Sequence, residues 1–132
     1  MEKTVFYFDK NIGSRLPKTL SAMDPPFSVR WHSGEGFDPE MPDDEWLEIT
    51  GRKGWVVLTQ DWKFHIRDNE LEAIRQHRVR CIYLPGADEH RWTTYVRFIR
   101  SHARLIETAN DCAAPFIFDL KKNGQLRRIE IG

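Results

Sequence analysis

Three aspartates stand at points in the chain where acid-dependent chemistry could be assembled: Asp9 in FDKN, Asp43 in PDDEW and Asp61 in LTQD. Asp9 and Asp61 each follow a short apolar run and Asp43 precedes one, so all three belong to element ends. Carboxylates gathered without counter-charges repel one another strongly at low effective dielectric, and such a cluster requires a cation or a shared proton. Hard oxygen ligands with no His or Cys nearby favour Mg2+ or Mn2+ over Zn2+. An ion of that kind lowers the pKa of a bound water, aims it at a phosphodiester and neutralises the charge that develops on phosphate. Asp9 and Asp61 are the expected direct ligands, and Asp43 completes the shell directly or through water. Asn11 is placed to hydrogen-bond a ligand or a metal-bound water. A purely structural reading competes: Asp9 opens a turn, Asp43 is a helix N-cap and Asp61 starts the turn in DWKF.

The elements that must position these acids alternate between strand and helix. Lys3 to Phe8 reads as a buried first strand, followed by a helix carrying Leu16, Leu20 and Met23 that must stop before Pro25-Pro26. Phe27 to Trp31 is a second strand, and His32 to Pro42 a surface loop with little to order it. Asp43 to Arg52 reads as a helix with acids at its start and Trp46, Leu47 and Ile49 facing inward, closed by Gly54. Trp55 to Thr59 is a near-continuous apolar strand, the pattern of a parallel strand covered on both faces. A helix from about Asp68, its N-cap, to His77 leads to a strand at Arg80 to Leu84. The longest helix spans about Glu89 to Asn110, with Trp92, Tyr95, Val96, Ile99, Ala103 and Ile106 as its inward face. Pro115 to Leu120 and Leu126 to Ile131, joined through Asn123-Gly124, form a terminal β-hairpin. This order predicts an α/β fold with a mostly parallel sheet between helices, and ligands in such folds bind beyond the carboxyl ends of the strands.

The chain has 132 residues, enough for one domain with its own core, and 40% of them are hydrophobic. No apolar run is long enough to span a bilayer and the N-terminus enters a strand-like segment, so a cytoplasmic protein without membrane contact is expected. Cys81 and Cys112 lack metal-ligand spacing and read as reduced structural thiols. The net charge of zero hides an asymmetry: residues 1–48 hold 5 basic and 10 acidic side chains, residues 49–132 hold 15 and 10. That division suits a protein holding cations in one place and phosphates nearby, although solvated helix faces would produce it too. Arg97, Arg100 and Arg104 form a basic stripe able to follow an RNA backbone, and Trp62 could stack a base beside Asp61. Lys121-Lys122 and Arg127-Arg128 offer a second phosphate surface or a dock for an acidic segment. The five histidines have no metal spacing, and His65 lies nearest the acids in sequence.

The segments FYFDKNIGSRLPKTL, PDDEWLEITGRKGWVVLTQDWKF and RCIYL, in that order, resemble the PIN-like domains of VapC-type toxins. The resemblance runs from Val5 to Leu84. Its most specific part is an acid opening a helix, then a Gly and an apolar strand ending in Thr-x-Asp, with Phe three residues on. Those positions are Asp43, Gly54, Trp55 to Leu58, Thr59, Asp61 and Phe64. The resemblance implies a PIN-like three-layer α/β/α sandwich and a metal-dependent ribonuclease, with Asp9, Asp43 and Asp61 as metal-site acids and Thr59 as a supporting polar residue. It also implies a fourth acid, for which Glu35, Asp38, Glu40 and Asp44 are the sequence candidates. Lys63 stands where such proteins often have Asp, and a cation there could contact phosphate. A toxin of this kind would act on RNA, be covered by a cognate antitoxin protein and form a homodimer.

Two other classes compete with the nuclease. One is a PIN-like module that binds RNA or a protein partner without catalysis, which the unplaced fourth acid and Lys63 would allow. The other is a phosphotransfer domain using Asp9, disfavoured because no second acid lies immediately beside it.

Overall fold

Runs of four or five residues, most of them rich in aromatic and β-branched side chains and too short to support a helix, form the strands that organise this chain. The computed structural model describes residues 3–132. The elements follow in the order β1 (Val5–Phe8), α1 (Arg15–Ala22), β2 (Ser28–Trp31), α2 (Asp43–Lys53), β3 (Val56–Thr59), α3 (Asp68–Gln76), β4 (Arg80–Tyr83), α4 (Arg91–Asp111), β5 (Phe116–Leu120) and β6 (Leu126–Ile129). The six strands form one sheet in the order β2-β1-β3-β4-β5-β6. Every pairing is parallel except β5 with β6, which close the sheet as an antiparallel hairpin. The expected α/β sandwich with a mostly parallel sheet and a terminal hairpin is therefore present. Among the described residues, no helix is long and apolar enough to cross a membrane.

The period of two along each strand divides the apolar side chains between two cores. Phe6, Phe8, Val56, Leu58, Ile82 and Phe116 pack with Leu16 and Leu20 of α1 and Phe98 and Leu105 of α4. Tyr7, Val57, Cys81, Tyr83 and Ile117 pack on the opposite face with Trp46 and Leu47 of α2 and Ala73 and Ile74 of α3. The connection through α1 moves toward one edge of the sheet and that through α4 toward the other, yet both helices cover the same face. Their crossovers must therefore have opposite hands, a departure from the strong right-handed preference. Because α4 follows β4, which is parallel to β1 and β3, its start lies at the same end of the sheet as Asp9 and Asp61.

The long helix differs from its expected orientation. Its buried stripe is Thr94, Phe98, Ser101, Leu105 and Ala109, roughly opposite the more apolar one read from the sequence. From that expected stripe only Tyr95 and Ile106 pack partly on the core, while Trp92 is 69% exposed and Ile99 is 38% exposed. Packing decides here: Ser101 and Ala109 are small enough to let α4 approach, and the Phe98 ring reaches those of Phe6, Phe8 and Phe27 at 5.4–5.9 Å. Both α2 and α3 start at the expected residues, with a different residue at each cap. Asp43 and Asp68 are first helical residues, with Pro42 and Arg67 at the N-cap positions, so neither aspartate acts as an N-cap. Met23 lies past the end of α1, exposed. In α2, Trp46, Leu47 and Thr50 are buried while Ile49 is only half-buried. The segment between β2 and α2 is more ordered than its composition predicts, since it carries a 3-10 turn at Ser33–Glu35 and buries His32.

Gly51 in α2 sets the fit between α2 and the α3–β4 junction. A Cβ there would overlap the carbonyl oxygen of His77 and stand 3.0 Å from both His77 Cβ and Val79 Cγ2. Alanine normally stabilises a helix by about 1 kcal/mol over glycine, but this overlap is with backbone. Gly51→Ala is expected to destabilise the fold by about 1–3 kcal/mol, read as a lower denaturant midpoint; an unchanged or higher midpoint would contradict the packing described.

Candidate functional site

The strand order reverses direction between β1 and β3: from β1 the chain passes to β2 on one side, and everything later builds on the other. A crevice opens at the carboxyl ends of the strands at such a point. Asp9 follows β1 and Asp61 lies two residues beyond β3, so the sheet places both there.

Thr59 joins them. Its buried hydroxyl donates to Asp9 Oδ2 at 2.9 Å and accepts from Asn11 Nδ2 and from the backbone N–H of Asp61, each at 3.0 Å. One donor and two lone pairs are thereby fully used. Asn11 completes the link by accepting from the Gln60 N–H through Oδ1, at 3.2 Å. Thr59 thus ties the Asp9 carboxylate to the Asp61 backbone, whereas Asn11 bonds Thr59 and Gln60 rather than an acid.

Asp9 is 4% exposed, and the Lys10 N–H donates to its Oδ1 at 2.7 Å. Burial, reinforced by the charge of Asp43, pushes its carboxyl up to about 6 against the lowering effect of the Thr59 and Lys10 hydrogen bonds. Beneath it, the Tyr7 hydroxyl lies 2.9 Å from His32 Nδ1, and His32 Nε2 lies 3.0 Å from the Asp38 carbonyl oxygen. A carbonyl only accepts, so Nε2 carries a proton and donates to Asp38. Burial, then Asp9, Asp43 and Glu35, raise the Tyr7 phenol far above its usual range, so it stays a donor. The sequence reading assigned Tyr7 only to a strand and His32 to a loop.

The other two acids diverge. Asp43 Oδ1 accepts from the Trp46 indole N–H at 3.0 Å, within the first turn of α2, and its charge acts on Asp9. Asp61 is held by Arg67: Nη1 donates to Oδ2 at 2.7 Å and Nη2 to Oδ1 at 3.2 Å, while the Lys63 N–H also donates to Oδ1. The hydrogen bond to Asp61, with the charges of Asp61, Glu70 and Asp43, raises the Arg67 pKa. Nothing periodic in the sequence points to Arg67; the turn Trp62–Arg67 folds it back onto an acid six residues earlier.

Among the described residues, no group of three or more His, Cys, Asp or Glu side chains is arranged to hold a metal ion. Asp9 and Asp43 nevertheless fit part of a Mg2+ shell: hard oxygens, mutually repelling, one of them buried and paired with no Lys or Arg among the described residues. Mg2+ keeps several waters and commonly takes only one or two carboxylates. Asp61 does not join them while its two oxygens lie in the fork of Arg67. Of the candidates for a fourth acid, Glu35 turns to Arg30 at 3.4 Å and Asp38 accepts from the Glu40 N–H. Asp44 and Glu40 are exposed.

The burial of Asp9 has a pH signature. Its folded value of about 6 lies above its ordinary 3.8, so the stability it contributes is fully present below about pH 4 and is lost as pH rises through 6. In metal-free buffer the protein should lose on the order of 2 kcal/mol from this group between pH 4 and pH 8. Asp9→Asn removes that slope but also forfeits one hydrogen bond, because its amide cannot accept from both Thr59 and Lys10. Chemical denaturation of both proteins across this range checks the difference; parallel pH profiles would contradict the burial.

The residues expected to contact RNA divide. Trp62 is 59% exposed, with the Lys63 ammonium 5.3 Å from the centre of its ring. Arg97 is committed to Glu89 through bonds of 2.7 and 3.2 Å, and Arg104 donates to the Gly124 carbonyl at 2.9 Å. Arg100 is exposed, with no protein partner among the described residues.

Comparison with known proteins gives one finding: residues 4–86 match a family model described as PIN like domain. No curated protein and no solved structure matches the chain.

Proposed function

Because the chain belongs to the PIN-like domain family, we propose that it is a Mg2+- or Mn2+-dependent endoribonuclease whose acidic edge is Asp9, Asp43 and Asp61. The observation that carries this reading is the buried Asp9 carboxyl, braced by Thr59, exposed to the charge of Asp43 and paired with no Lys or Arg among the described residues. Folding buries an acid at a cost in this way where a ligand recovers the cost. A bound divalent ion supplies a water of lowered pKa and neutralises charge on the phosphate. The chain supplies the rest. Thr59 and the Lys10 N–H fix the direction of the Asp9 oxygens. The Tyr7–His32 pair seals the floor beneath, and Asp43 adds a second carboxylate from the start of α2.

Arg67 sets the third position. Its guanidinium competes with a cation for Asp61 and adds a repelling charge, so Arg67→Gln is expected to tighten Mn2+ binding by about tenfold, the equivalent of about 1.4 kcal/mol. Calorimetric titration reads this directly, and unchanged or weaker binding would mean that Asp61 stays outside the metal shell. We extend the proposal to a toxin that forms a homodimer and whose antitoxin covers the acidic edge, on the strength of the sequence resemblance alone. The specific observation favouring a non-catalytic PIN-like module instead is the Arg67–Asp61 pair, which already neutralises one acid. Incubating a mixed RNA pool with the protein in Mg2+, and separately in EDTA, tests the two. Cleavage that EDTA abolishes supports the nuclease; intact RNA in both favours the binding module.

A further inference from the structure

Two grooves flank the start of α4, and each is lined by at least one arginine that makes no ion pair among the described residues. The first, about 400 Å3, is lined by Ile12, Gly13 and Gln60, neighbours in sequence of Asn11 and Asp61, and by Arg15 and Arg91. The second, about 420 Å3, begins at Trp92 and runs past Val96 and Arg100 to the β5–β6 turn at Lys122. Because β5 is parallel to β3, that turn lies at the same end of the sheet as Asp61. Among the described residues, Arg15, Arg91 and Arg100 are exposed and make no ion pair or hydrogen bond with a protein group. Glu89, the acid lining the first groove, is neutralised by the bidentate contact of Arg97. Trp92, 69% exposed, lines the second groove and follows Arg91 of the first in sequence.

From this juxtaposition we infer that Trp92, with Arg15, Arg91, Arg100 and Lys122, forms a track for single-stranded RNA leading away from the acidic edge, with a base stacked on the Trp92 indole. The inference rests on the nuclease reading for its direction, and of its residues Trp92, Arg91, Arg100 and Lys122 lie outside residues 4–86, the part matched to the family. Unpaired guanidiniums spaced along a groove neutralise successive phosphates, and an exposed indole offers a π-face that any unpaired base can use. Duplex RNA cannot use it, since its bases are already stacked. Val96, Ile99 and Ala103 would suit an acidic amphipathic protein segment, but they do not account for unpaired arginines on both sides of the helix start.

The test is binding in EDTA, where cleavage does not intervene. A labelled single-stranded RNA of about 12 nucleotides is titrated by fluorescence anisotropy at several salt concentrations against wild type, Trp92→Ala, Trp92→Phe, Arg100→Glu and Asp9→Asn. A duplex of the same sequence and a poly-glutamate peptide serve as comparators. Binding of the single strand in preference to the duplex is expected, at least about tenfold weaker for Trp92→Ala and largely kept by Trp92→Phe. Arg100→Glu should weaken binding and flatten its salt dependence, while Asp9→Asn binds at least as well as wild type. Equal affinity of Trp92→Ala and wild type, equal binding of duplex and single strand, or poly-glutamate binding through Arg100 without RNA binding would each overturn the inference. Trp92-dependent binding without any cleavage in Mg2+ leaves the inference standing and removes the nuclease; cleavage with an indifferent Trp92→Ala does the reverse.

Discussion

Asp9→Asn is expected to lower RNA hydrolysis by roughly 10^2- to 10^3-fold, the scale seen when one preorganised group that meets charge at a reacting centre is removed. The chain should stay folded, because the substitution keeps the shape of the side chain and relieves a buried negative charge. Asp9 is the acid with the least alternative employment: both oxygens are held only by Thr59 and the Lys10 N–H, and no Lys or Arg pairs with it among the described residues. Asp61→Asn should cost less activity, since Arg67 already occupies that carboxylate. Initial rates on one RNA substrate with saturating Mg2+, alongside circular dichroism, separate loss of chemistry from loss of structure. Equal rates for Asp9→Asn and wild type would remove Asp9 from the reaction.

Thr59→Val should be the most damaging substitution at the site for stability, at a cost on the order of 3 kcal/mol. Valine fills the same space, so no cavity opens and the loss measures hydrogen bonding. Without the hydroxyl, Asp9 Oδ2 loses its donor, and Asn11 Nδ2 and the Asp61 N–H lose their acceptor. All this happens at a residue that is 0% exposed, where water cannot substitute cheaply. Thr59→Ser restores the hydroxyl and should recover most of the loss. Activity should fall about 10- to 100-fold in Thr59→Val as the Asp9 carboxylate loses its orientation. Urea denaturation of the three proteins gives the comparison; a Thr59→Val protein as stable as wild type would mean the hydroxyl is not the brace described here.

The parts of the site that could be read from the sequence are those fixed by local rules. A strand of four residues must end, and an acid just past the end of an apolar parallel strand lies at the edge where such sheets bind ligands, which locates Asp9, Thr59 and Asp61. The position of Asp43 at the start of α2 was equally legible, though Pro42 takes the cap position and Asp43 the first turn. Arg67 and the Tyr7–His32 pair were not legible, because each depends on how an irregular segment folds back across the sheet end. The orientation of α4 was misread for a related reason. Trp92, Val96, Ile99 and Ala103 repeat at helical spacing as well as Thr94, Phe98, Leu105 and Ala109 do. Hydropathy selects the first set, whereas the space above Phe6 and Phe8 accepts the second. The same mismatch leaves Trp92 in solvent beside unpaired arginines.

All of the proposed chemistry depends on a divalent ion held by carboxylates at the β1–β3 crevice, and Mn2+ binding followed by electron paramagnetic resonance tests that directly. Titrating Mn2+ into the metal-free protein should show one bound ion per chain, absent in Asp9→Asn and present in a control substitution on the far side such as Arg52→Ala. Free-ion signal from the first addition in wild type, or undiminished binding in Asp9→Asn, would contradict the account.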